Sequence, residues 1–211
     1  MDINDCEEEA AFPEIRYPKA GDQLITESHV GDDMLWGEWL DWSQYADAYK
    51  EGADRLVETL TGMAYEDRLL CPIIFMYRHY VELKLKELVL ALDGLGGTQI
   101  PEKDFIKHNL LLFWNYVKTH MNCIKGKADC SILDSLGSLI KQLSDLDPDS
   151  MHFRYSVDKQ FAKMAVPSRL DVKHLKYMMK VISNGFGYIE GGIDAEKEGR
   201  AIEAEFYSDV C

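Results

Sequence analysis

The sequence predicts an all-α fold, a single bundle of about five main helices, on three observations. Apolar side chains recur at helical spacing in five stretches. Glycine, proline and aspartate clusters separate those stretches. No stretch reads as a succession of paired strands, and no internal repeat is found. The chain has 211 residues, of which 46% are hydrophobic, enough for one buried core.

Residues 1–31 carry Pro13, Pro18, Gly21 and Gly31 behind an acidic start and read as an irregular N-terminal arm. From Asp32 the pattern turns helical. Asp32 or Asp33 can cap, Trp36, Trp39, Leu40, Tyr45, Tyr49, Leu56, Val57 and Leu60 follow at helical spacing, and Gly62 ends the run. A second helix spans about Tyr65–Leu92, with Pro72 marking a kink or a later start. Gly94, Gly96, Gly97 and Pro101 form a loop. A third helix runs from His108 to about Met121 and a fourth from about Ser131 to Leu146, with Pro148 in an acidic loop behind it. Residues 151–168 lack a helical period and read as an ordered, extended segment. A fifth helix starts near Ser168 or Asp171 and ends near Gly185 or Gly187. The bundle is thus bounded as 32–190, and 191–211 is an acidic tail that can add a short helix around Asp194–Phe206.

Charge is unevenly placed. Residues 1–70 hold 5 basic and 18 acidic side chains, residues 71–189 hold 16 and 12, and residues 190–211 hold 2 and 7. A net charge of −14 argues against a generic nucleic-acid coat, which needs clustered cations, so an anionic ligand belongs to the mildly basic middle. The five cysteines, Cys6, Cys71, Cys123, Cys130 and Cys211, are scattered without a CxxC pair. The N-terminus has no basic and apolar leader, so a reduced, cytoplasmic compartment is expected. No apolar run approaches a membrane span. His108 and His120 are twelve residues apart, not a zinc spacing, and no Walker loop, GxGxxG or HExxH is present; no metal or cofactor is expected. Trp36, Trp39 and Trp42 serve either the helix core or an aromatic anchor at a partner surface.

The second helix is the most informative. Stepping 100° per residue, Ile74, Tyr77, Val81, Leu85, Leu88 and Leu92 form one apolar stripe, and Met76, Leu83 and Leu90 lie on the far side, as suits a central helix. Between them runs a polar arc of Arg78, His79, Glu82 and Lys86, which Phe75 and Val89 share. The ladder Arg78–Glu82–Lys86 is either a solvated ion-pair run or a partly buried polar site. In the second case partners are at hand in His108, His152, Arg154 and Tyr155.

Three stretches, "PIIFMYRHYVELKLKELVLAL" (Pro72–Leu92), "KHNLLLFWNYV" (Lys107–Val117) and "DPDSMHFRYSVDK" (Asp147–Lys159), resemble bacterial members of the HEPN superfamily. The likeness spans about residues 40–190. It implies a small helical bundle that often forms a homodimer. It also implies either a metal-independent ribonuclease of toxin–antitoxin or phage-defence systems, or a catalytically silent dimerisation or partner-binding module.

The family's catalytic motif is an arginine followed four to six residues later by a histidine near the start of a late helix. Arg169 and His174 match it, although Leu170 stands where the family often has a polar residue. Within a regular helix their separation is 140°, but with Asp171 as N-cap, Arg169 lies outside the helix and can fold back. The second candidate set is Arg78, His79, His108 and Arg154, supported by Glu82, Lys86, His152 and Tyr155. It fits the polar arc and departs from the local motif. In either set the chemistry is the same. RNA carries its own nucleophile in the 2′-hydroxyl, a histidine moves its proton, and an arginine holds the phosphate.

Overall fold

The computed structural model describes residues 18, 22, 41–97, 100–121, 124, 129–148, 150–155 and 169–210, and every element below belongs to the unit Trp39–Cys211. Helices carry all the regular structure among the described residues. Asp41 opens helix α1 (Trp42–Thr59): its carboxylate accepts from Gln44 N at 2.7 Å, and Asp41 N donates to Gln44 Oε1 at 3.3 Å. The cap of α1 is therefore Asp41; Asp32 and Asp33, expected to cap, lie outside the described residues. Trp36 and Trp39 lie outside the described residues, as does the expected arm apart from residues 18 and 22. Past α1, Gly62 takes φ +90°, a left-handed backbone that favours glycine.

A 3-10 segment, Ala64–Leu69, leads into α2 (Leu70–Asp93). Pro72 falls in the first turn of α2, where its missing N–H leaves no helical bond unmade, so it marks a later start. Helix α2 is central: α1, α4 and α6 all pack on it. Its main stripe is buried, and on the far side Leu83 is buried too, while Leu90 stays half exposed. A one-turn helix, α3 (Glu102–Phe105), sits in the segment read as loop. Helix α4 (Leu110–Met121) starts two residues later than expected, because Asn109 Oδ1 accepts from Leu112 N at 3.0 Å and takes the capping position. His108 is thus left outside the helix. Helix α5 (Cys130–Leu146) is capped by Asp129, which accepts from Ser131 N at 2.8 Å.

Two expectations fail in the last third. Residues 151–155 are not extended: Arg154 N and Tyr155 N both donate to Met151 O at 3.2 Å and close a turn. Residues 156–168 lie outside the described residues. Helix α6 (Val172–Val210) does not end at Gly185 or Gly187 but runs on as one helix through the expected tail. The buried stripe Met179, Ile182, Phe186, Ile189 and Ile193 continues across the glycines, and its burial outweighs their propensity cost. Gly185 is a packing notch, since a Cβ there would stand 3.0 Å from Leu136 on α5. Gly137 on α5 plays the same part under the Trp114 indole of α4. Among the described residues no helix is long and apolar enough to cross a membrane.

Candidate active site

The polar arc of α2 is a buried centre and not a solvated ion-pair run. Arg78 is fully buried, and each nitrogen of its guanidinium is engaged. Nε donates to Asp147 O at 2.9 Å, Nη1 to Glu82 Oε2 at 3.1 Å and Nη2 to His108 O at 2.7 Å. Asp147 closes α5 and His108 precedes the cap of α4, so both carbonyls lack a helical partner and are free to accept. One side chain thereby ties α2 to the end of α5 and the start of α4. Burial pushes the guanidinium's pKa down, and the charges of Asp147 and Glu82 oppose that shift.

Glu82, 1% exposed, is the second node. Its Oε2 faces Arg78, and its Oε1 accepts from Lys86 Nζ at 2.9 Å and meets His108 Nδ1 at 2.8 Å. Burial alone would raise this carboxyl, but the hydrogen bonds and charges of Lys86 and His108 outweigh it and hold the pKa below the ordinary value. An ionised carboxylate only accepts, so His108 Nδ1 is the donor toward Glu82, and in the neutral form of the ring Nε2 is the free basic nitrogen. The His108 side chain is 42% exposed, so this ring reaches solvent. Lys86 Nζ also lies 5.4 Å from the Phe113 ring centre and 5.6 Å from that of Phe105.

The third node is Asp147, fully buried. Its Oδ1 accepts from Met151 N at 2.7 Å and His152 N at 3.0 Å and meets His152 Nδ1 at 3.3 Å, while Oδ2 stands 3.6 Å from Arg78 Nε. Within this turn Ser150 is buried at φ 57°, and its Oγ accepts from Arg154 Nη2 at 2.8 Å. Arg154 itself is exposed and lies over the Phe75 ring, 5.0 Å from its centre.

His79 stands one turn before Glu82 on α2. Its ring stacks on Phe75 with centroids 5.7 Å apart and meets Tyr49 of α1 edge-on at 4.5 Å. Its Nδ1 is buried without a hydrogen-bond partner. Burial lowers its pKa; Glu82 opposes this, while Arg154, His108 and Lys86 reinforce it. His79 is accordingly a neutral imidazole at pH 7.

The structure thus brings together Arg78, His79, Glu82, Lys86, His108, His152 and Arg154. Tyr155 is exposed and makes no hydrogen bond to the cluster. Arg169 and His174 are not part of it. Asp171 does cap α6, accepting from Lys173 N at 3.0 Å and His174 N at 2.9 Å, so Arg169 lies outside the helix. Arg169 lines a groove with the end of α1 and the 3-10 segment, a groove that His174 does not line. The sequence reading passed over Asp147, Ser150 and Tyr49. Asp147 had a signal: the arc holds two cations, Arg78 and Lys86, against one carboxylate, and a buried arc needs a second anion. Among the described residues no group of three or more His, Cys, Asp and Glu side chains is placed to hold a metal ion. Cys71 and Cys130 are free and exposed, and Trp42 Nε1 donates to Leu83 O at 2.8 Å, tying α1 to α2.

Comparison of the chain with protein-family models, with curated proteins and with solved structures finds no match.

Proposed function

We propose that this chain is a HEPN-like, metal-independent endoribonuclease or RNA-binding component of a bacterial defence or toxin–antitoxin system. The observation that carries the reading is the Glu82–His108 dyad, 2.8 Å between Oε1 and Nδ1, with Arg154 and His79 on the same polar cluster. The three stretches that carry the family resemblance each supply part of this cluster, which supports the reading. His108 Nε2 takes the proton of a ribose 2′-hydroxyl, and the freed oxygen attacks the adjacent phosphorus. Arg154, exposed and held over Phe75, is the cation that meets the phosphate. Arg78 is not: all its nitrogens face inward, so it positions the dyad and does not touch substrate.

The test is cleavage of total RNA and of tRNA in EDTA by wild type, His108→Ala, Arg154→Ala and His174→Ala. His108→Ala is expected to lose about 100-fold or more. Arg154→Ala is expected to lose less, and His174→Ala to match wild type. The reverse pattern would move the site to Arg169 and His174.

A second reading, a catalytically silent dimerisation or partner-binding module, draws on the distal turns of α6. There Ile202, Phe206 and Tyr207 are each about two-thirds exposed. A folded wild type that cleaves nothing, together with a dimer that Phe206→Glu dissociates, would favour it.

A further inference from the structure

Transesterification of RNA moves two protons. One leaves the 2′-hydroxyl and goes to His108; the other must reach the departing 5′ oxygen. The residues around Asp147 share one feature with those around Glu82, a buried carboxylate beside both Arg78 and an imidazole. The wholly buried Asp147 carboxylate stands 3.6 Å from the Arg78 guanidinium, as an ion pair, and its other oxygen meets an imidazole Nδ1 at 3.3 Å. In one pair the partners are Glu82 and His108; in the other, Asp147 and His152.

We infer that Asp147 and His152 form a second carboxylate–imidazole dyad, and that His152, as imidazolium, protonates the leaving 5′ oxygen. The inference rests on the ribonuclease reading. Three observations carry it. First, Asp147 Oδ1 accepts two backbone N–H groups, at 2.7 and 3.0 Å, and lies 3.3 Å from His152 Nδ1, a contact that favours the Nδ1–H tautomer of the ring. That leaves Nε2 of His152 directed away from the carboxylate, on a side chain 30% exposed. Second, Arg78 holds both dyads at once, with Nη1 on Glu82 and Nε on the Asp147 carbonyl, so the two rings are set from one rigid planar fork. Third, the turn that carries His152 uses a left-handed Ser150, a conformation unfavourable for a residue with a Cβ. It is held by burial and by the bond from Arg154. The same turn therefore presents the imidazole and the phosphate-binding cation together.

The step balances. The bond from the 2′ oxygen to phosphorus forms, and the bond from phosphorus to the 5′ oxygen breaks. The 2′ proton passes to His108 Nε2, and the Nε2 proton of His152 passes to the 5′ oxygen. The products are a 2′,3′-cyclic phosphate and a 5′-hydroxyl end, and the two rings reset by exchange with water.

The experiment has a structural arm and a kinetic arm. In ¹⁵N-labelled wild type, NMR of the neutral rings is expected to show the Nδ1–H tautomer for both His108 and His152. An Nε2–H tautomer at His152 overturns the dyad whatever the activity. Kinetics then compare an RNA oligonucleotide with uridine 3′-(4-nitrophenyl phosphate), whose leaving group departs without a proton. His152→Ala and His152→Gln are each expected to lose about 100-fold on RNA and less than about 10-fold on the nitrophenyl ester. His108→Ala is expected to lose activity on both substrates. Equal losses on both substrates in the His152 variants, or RNA cleavage like that of wild type, overturn the role given to His152. Wild type that cleaves neither substrate overturns the ribonuclease reading, and with it this one; that failure is seen in wild type, the other only in the variants.

Discussion

Arg78 shows what one buried charge does when each nitrogen of its guanidinium is engaged. Removing it leaves Glu82 and Asp147 buried with less compensation and frees two carbonyls. Arg78→Ala is therefore expected to cost about 3–5 kcal/mol in urea unfolding. Arg78→Lys is expected to recover little, because one ammonium cannot replace a fork that reaches Glu82, His108 and Asp147. Acid sensitivity follows from the same cluster. The folded state holds His79 below its ordinary 6.5, so the unfolded chain binds the extra proton first, and stability falls as the pH drops through and below that value. Glu82 is held below its ordinary 4.5, so its contribution is present above that pH and is lost as the pH falls toward its folded value. Both slopes have one sign, with stability rising with pH. Denaturant midpoints measured from pH 7.5 to 4 are expected to fall in two stages. His79→Phe should remove the earlier stage, since Tyr49, Phe75, Glu82, Arg154, His108 and Lys86 would then face a ring that takes no proton. At this scale the ladder was legible from its i, i+4, i+8 spacing and the apolar residues sharing its arc. The arc's two cations called for a second anion, but that Asp147 supplies it was not legible, because it is 69 residues from Arg78 and no local pattern links the two.

Among the elements, glycine is the instructive case. Gly185 and Gly187 look alike in sequence, and both read as the end of a helix. In the fold, a Cβ at 185 would press on Leu136, while at 187 it would meet nothing within 4 Å. Gly185→Ala is expected to cost about 1–3 kcal/mol through overpacking, and Gly187→Ala to stabilise α6 by up to about 1 kcal/mol, both read from thermal or urea unfolding. Asp41→Ala removes the acceptor for Gln44 N and is expected to cost about 1 kcal/mol. Central placement of α2 was legible from its two opposed apolar sides. Its second charged contact was not: Lys84 is buried between Ser43 of α1, Glu87 and Glu190 of α6. Burial lowers the Lys84 pKa, but the hydrogen bonds it donates to Glu190 and Glu87 reverse that and raise it. Glu190 read as the edge of an acidic tail because its partner lies more than a hundred residues earlier.

For the whole molecule, the question is where the bundle ends. Residues 201–207 of α6 are all exposed, so they contribute little to the core. Ile202→Glu with Phe206→Glu is expected to leave unfolding free energy within about 0.5 kcal/mol of wild type. If a second copy covers these turns, the same double variant shifts sedimentation from dimer to monomer.

Helical class, the order of the main helices and the polar arc of α2 were determined by the sequence alone, because periodicity acts over a few residues. The tertiary structure decided which charges are buried, where α6 stops, and that two carboxylate–imidazole pairs share one arginine. Those outcomes depend on contacts between residues far apart in the chain. Burial there outweighs local propensity, and a buried charge is stable only where the fold brings its partner.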